Sequence, residues 1–164
     1  MSSTPGRSVW LRRIALGLVA LLALAQAVRP ERSNPAVEIE KTLERVSSPP
    51  AAVQATLRRA CYDCHSNETR WPWYSQIAPI SWALSEHVVD ARRHLNFSDW
   101  TRMTAGKKRK VVGEICEEVK EGGMPLSSYL WIHRDARLMP EEVQAICEWT
   151  AAEERRTADP SAQP

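Results

Sequence analysis

The sequence predicts an all-α domain, and three observations predict it. Apolar residues recur at helical spacing, most clearly in "KKRKVVGEICEEVKEGG", where Val111, Val112, Ile115, Cys116 and Val119 fall on one face. No stretch keeps the period-two alternation of a half-buried strand. The periodic segments also carry helix punctuation, Gly122–Gly123 after this one and "PEE" from Pro140 before the last. The chain has 164 residues, 43% hydrophobic and 26% charged, which suits one folded domain with additions and excludes a disordered chain.

Residues 1–28 form the first element, a signal peptide or an N-terminal membrane anchor. Arg7, Arg12 and Arg13 precede "IALGLVALLALAQAV", an uncharged run from Ile14 to Val28. Fifteen residues fall short of the roughly 20 that span a bilayer, although Val9, Trp10 and Leu11 extend the run toward a tilted anchor. Ala23 with Ala25, or Ala25 with Ala27, offer sites to a signal peptidase, so both readings stay open. Arginines ahead of the run stay cytoplasmic, which puts the rest of the chain on the exported side. That remainder holds 19 basic and 20 acidic residues, so no field steers it toward nucleic acid.

Residues 29–34 read as a linker and 35–155 as the domain. "PAVEIEKTLERV" is loosely helical through Val37, Leu43 and Val46, and "SSPP" is a break with Ser48 as the expected cap. "AAVQATLRRACYDCH" continues a helix through Val53, Leu57, Ala60 and Cys61. In "SWALSEHVVDARRHL" the stripe is Trp82, Leu84, His87, Val88, Ala91 and Leu95, and Ser98 is the cap expected in the "NFSDW" break. After the "KKRK" helix, "MPLSSYLWIHRDARLMP" reads as loop with a short helical turn. "PEEVQAICEWTAAEERR" follows as a helix with Val143, Ile146, Cys147 and Thr150 inward. Residues 156–164 are the expected flexible tail.

The chemistry lies in Cys61-Tyr62-Asp63-Cys64-His65. C-x-x-C-H is the attachment pattern of c-type haem: two sulfurs reach two vinyl groups, and the adjacent imidazole ligates the iron. A thioredoxin-like site needs a βαβ context that this chain lacks, and a zinc site needs a second close ligand pair, whereas Cys116 and Cys147 stand apart. The expected fold is thus a small cytochrome c-like helical domain wrapped around one covalent haem c, behind the apolar helix.

Five residues are candidates for the second axial ligand: Met124, Met139, His87, His94 and His133. Met124 is preferred because it follows the helix-ending Gly122–Gly123 and is stiffened by Pro125; Met139 lacks the glycine approach. His87 lies on an apolar stripe, where a histidine is more often a core group, and His94 follows Arg92 and Arg93 and reads as solvated. Trp71, Trp73 and Tyr74 follow the motif directly and are expected to wall the ring, with Tyr129 or an indole N–H donating to a propionate. Cys116 and Cys147 are either a disulfide or two buried thiols. "KKRK", Lys107–Lys110, is either a docking patch for an acidic redox partner or a solvated face.

"CYDCHSNETRWPWYSQIAPISWALSEHVVDARRHLNFSDW" followed by "MPLSSYLWIHRDARL" resembles the haem-binding domain family of exported bacterial proteins. The haem motif, "PWY", "LNFS" and the methionine–proline pair occur in order, and the similarity runs from about Arg29 to Thr150. The resemblance implies a covalent c-type haem on Cys61, Cys64 and His65, with Met124 at the family's methionine–proline position. The expected function is single-electron transfer on the periplasmic side of the inner membrane. A redox partner protein is implied, and membrane contact through the first helix if it is uncleaved. The alternatives are a haem-based sensor with a labile sixth ligand or a peroxidase-like enzyme; a non-catalytic carrier is expected over an enzyme.

Overall fold

A computed structural model describes residues 6–158; among them eight α-helices alternate with short 3-10 turns and no strand forms. The protein is all-α. The helices are α1 (Arg7–Ala25), α2 (Leu43–Ser47), α3 (Ala51–Ala60), α4 (Tyr62–His65), α5 (Ile80–His94), α6 (Ala105–Glu121), α7 (Ser127–Leu130) and α8 (Pro140–Ala158). The tail expected from residue 156 begins inside α8, and from 159 onward it lies outside the described residues.

The chain divides into two units, Met1–Arg32 with Trp71–His87, and Ser33–Arg70 with Val88–Pro164. In the first, α1 is long and apolar enough to cross a membrane, with mean hydropathy 1.8, and buries no residue. Its end is tied to the 71–87 segment by polar contacts. The Gln26 side-chain amide takes both backbone groups of Ala78, accepting from its N–H at 2.9 Å and donating to its carbonyl at 3.3 Å. The Trp82 indole donates to the Val28 carbonyl at 2.8 Å, and Arg32 donates to the Ser75 carbonyl.

The second unit holds the core, in which Leu57, Tyr62, Phe97, Trp100, Val112 and Ile146 are all 5% exposed or less. Helices α6 and α8 pack side by side and are bonded covalently by the Cys116–Cys147 disulfide. Thr104 caps α6 by accepting from the Lys107 N–H. Gly122 ends it at φ +73°, a left-handed position that suits glycine, and the Gly122 and Gly123 N–H groups return to the Glu118 carbonyl.

Three local expectations are corrected. Ser48 is not the N-cap of α3: it is the C-cap of α2, at φ +46°, and α3 begins after Pro50, which takes the N-cap position with an extended backbone (φ −51°, ψ 144°). Asn96, not Ser98, caps the 3-10 turn Phe97–Arg102, accepting from the Ser98 N–H at 2.9 Å. Ser98 is buried, and its hydroxyl accepts from the Asn67 N–H instead. On α5 the buried positions include Ser81, Ser85 and Val88, followed by Leu95, whereas Trp82 is 38% exposed and His87 lies at the surface.

Candidate functional site

Helix α3 ends at Ala60, and the Cys61 carbonyl then accepts from both the Cys64 N–H (3.1 Å) and the His65 N–H (2.9 Å). That closes one tight turn. Positions three and four apart share a helix face, so the spacing brings Cys61, Cys64 and His65 to the same side. Tyr62 turns the other way into the core and stacks on Phe97, ring centroids 5.1 Å apart.

The turn borders a cavity of about 420 Å³, lined by Cys61, His65 and Met124 and by apolar groups such as Leu95, Phe97 and Val111. This volume lies in the roughly 300–1,000 Å³ range of cofactor and ligand sites. Met124 reaches the wall because its N–H, like that of Gly123, donates to the Glu118 carbonyl as the chain turns back from α6. Of the other axial candidates, His94 also lines the cavity, hydrogen-bonded through Nε2 to Glu114 at 2.9 Å. Met139 is 52% exposed, His133 stacks on Tyr129 at 4.2 Å, and His87 belongs to the first unit; none of the three lines this cavity. Trp71, Trp73 and Tyr74 also belong to the first unit and are not among its lining residues; Trp73 is 76% exposed.

The donor chemistry fits haem. His65 Nδ1 lies 3.2 Å from the Leu95 carbonyl, which takes the ring proton and leaves Nε2 with its lone pair. Burial lowers the imidazole pKa, outweighing the carbonyl contacts that favour the charged ring, and a neutral ring is the ligand form. Cys61 and Cys64 are free thiols, since the disulfide engages the other two cysteines. Burial pushes the Cys61 thiol up to about 12 and the Cys64 thiol up to about 11, so neither is a ready thiolate for metal or disulfide-exchange chemistry. Among the described residues no group of three or more His, Cys, Asp and Glu side chains is placed to hold a metal ion.

A polar net holds the motif from outside the cavity. The Arg92 guanidinium donates to the Ser66 carbonyl (2.7 Å), the Ser33 carbonyl (3.0 Å), Asn34 Oδ1 (2.9 Å) and Thr69 Oγ1 (2.9 Å). Thr69 donates back to the Asp63 carbonyl at 2.7 Å. The Asp63 carboxylate accepts from the Arg70 N–H and guanidinium and, at 2.8 Å, from the Tyr129 hydroxyl. Tyr129 is thereby tied to the segment between the two cysteines. Sequence reasoning gave Arg92 no role. The available signal was the polar run "SNET" directly after the motif, whose Ser66, Asn67 and Thr69 are all buried and need partners.

A family model described as a haem-binding domain matches residues 20–152. No curated protein and no solved structure matches the chain.

Proposed function

The chain belongs to the haem-binding domain family, and from that premise we propose that it holds one c-type haem covalently and passes single electrons on the periplasmic side of a bacterial inner membrane. The observation that carries this reading is that Cys61, His65 and Met124 border one cavity. When bound, haem supplies an iron centre that takes up and releases one electron. Cys61 and Cys64 would hold the ring edge through thioethers, with His65 Nε2 and the Met124 thioether as iron ligands, a pair that would raise the reduction potential. Phe97, Val111 and Leu95 keep water from the ring and narrow the reorganisation that accompanies each transfer.

Electrons come from and go to a redox partner protein of the periplasm or membrane. Lys107, Arg109 and Lys110 are exposed at the start of α6 and give such a partner a cationic face. Helix α1 keeps the domain at the membrane, with Arg7, Arg12 and Arg13 on the cytoplasmic side. Residues 29–34 then act as the linker and 35–155 as the haem-binding domain.

A second reading, a sensor or peroxidase-like site with a labile sixth ligand, is favoured by the His94–Glu114 pair, an acid–base couple on the cavity wall. Both are tested by visible spectra of protein matured in a host that attaches c-type haem. Colour that survives denaturation, a far-red sulfur-to-iron band, and loss of that band in Met124→Ala but not in Met139→Ala support the carrier. Rapid carbon monoxide binding by the reduced wild type would move the assignment to the second reading. Haem lost on denaturation would refute thioether attachment.

A further inference from the structure

From Trp71 to Ser85 the chain has no charged residue, yet it exposes large apolar side chains: Trp73 is 76% accessible, Ile80 51%, Ile77 41% and Trp82 38%. An uncharged, aromatic, exposed segment of this kind marks a surface that meets something other than water. What it meets follows from its attachment. Within the first unit the same segment is bonded to the outgoing end of the apolar helix α1, through Gln26 to Ala78 and through Trp82 to the Val28 carbonyl.

Helix length then sets the depth. The uncharged helical run Ile14–Ala25 covers about 18 Å at 1.5 Å per residue, against a hydrocarbon core of about 30 Å. Arg12 and Arg13 reach back toward the cytoplasmic headgroups along their apolar stems. A short span holds whatever is bonded to its far end close to the lipid rather than lifting it clear. Tryptophan suits that depth, since its large ring leaves water while its N–H keeps a polar partner, here the Val28 carbonyl for Trp82.

We infer that residues 71–85 form a membrane-surface contact, with Trp73, Ile77, Ile80 and Trp82 seated in the lipid headgroup region beside the exit of α1. The inference rests on α1 being retained as an anchor. Cleavage after Ala27 would remove Gln26, which the first unit uses to hold Ala78.

The test places the photo-cross-linker p-benzoylphenylalanine, in the full-length membrane-bound chain, at Trp73 or Ile80. Leu18, inside α1, is the positive control, and Trp131, 78% exposed in the second unit, is the water-facing control. The expected result on irradiation is lipid adducts at Leu18, Trp73 and Ile80, with yields several-fold above that at Trp131. Adducts at Leu18 while Trp73 and Ile80 match Trp131 would overturn the surface contact and leave the anchor standing. Protein adducts in place of lipid at both positions would overturn it in favour of a protein partner. No lipid adduct at Leu18 would remove the anchor itself, and the inference with it. Haem staining of each variant is independent of all these outcomes and checks that the domain has folded.

Discussion

Asp63 stands between Cys61 and Cys64, and its carboxylate collects hydrogen bonds from Arg70 and Tyr129. Hydrogen bonds to a charged group are worth about 1.5–3 kcal/mol when little solvent screens them, and the Asp63 side chain is 13% exposed. Asp63→Asn is therefore expected to cost about 2 kcal/mol in urea unfolding, and Tyr129→Phe less, because the Arg70 pair survives. The double variant is expected to cost less than the two losses added, since they share one bond; full additivity would show that the Tyr129 contact contributes nothing. Arg92 makes the larger case. Its forked guanidinium serves four acceptors, so Arg92→Ala is expected to cost about 2–4 kcal/mol and Arg92→Lys to recover little, because an ammonium cannot reproduce the fork. A loss below about 0.5 kcal/mol, the range of ordinary surface changes, would refute its role as the clamp on the motif. That Cys61, Cys64 and His65 share one tight turn was readable from their spacing alone. Arg92 was not, because its partners are backbone carbonyls and small side chains distant in sequence.

At the scale of elements, α6 and α8 were legible because their inward positions are apolar, and their packing in the structure buries Val111, Val112, Ile115, Val119 and Ile146. Helix α5 was misread for a physical reason: two of its buried positions, Ser81 and Ser85, are polar, and hydropathy therefore pointed to Trp82 and His87. The pairing of Cys116 with Cys147, which the sequence left open, closes a loop across a separation of 31 residues. In the chain-entropy account that constraint is worth about 3–4 kcal/mol. Cys116→Ser with Cys147→Ser is expected to lower the urea midpoint and steepen the slope, because the released unfolded chain exposes more surface; an unchanged midpoint would show that the bond does not restrain the unfolded chain. The start of α8 gives a pH dependence. Glu142 accepts from the Met139 N–H at 2.9 Å, half of a capping box, and pairs with Arg59. Burial alone would raise its pKa, but these donors outweigh it and hold the carboxyl below the ordinary range. A depressed folded pKa gives stability that is present above the unfolded value, about 4, and is lost as pH falls through the folded one. The stability gap between wild type and Glu142→Gln is thus expected to be full at neutral pH and to shrink in acid; a gap constant down to pH about 2 would refute the linkage.

For the molecule as a whole, the division into two units was not readable from the linear order, because residues 71–87 follow the haem motif in sequence but group with α1. The tie is made by one glutamine amide, one indole and one guanidinium, which no periodicity reports. The first unit carries the apolar span, and the second carries Cys61, Cys64 and His65. The cavity of about 420 Å³ in the second unit is lined by Leu95, Phe97, Val111, Ile115 and Val119 together with His94 and three glutamates. With haem seated there as proposed, the apolar side chains complete their packing only against the ring. The same full-length chain produced in a host without c-type maturation is expected to keep helical far-ultraviolet circular dichroism, lose near-ultraviolet signal from its buried aromatics, and bind a hydrophobic dye. Its sensitivity to added protease is expected to rise within Ser33–Arg70 and Val88–Pro164. If the haem-free protein instead unfolds cooperatively at the midpoint of the loaded one, the core closes without the ring, and the cofactor contributes chemistry alone.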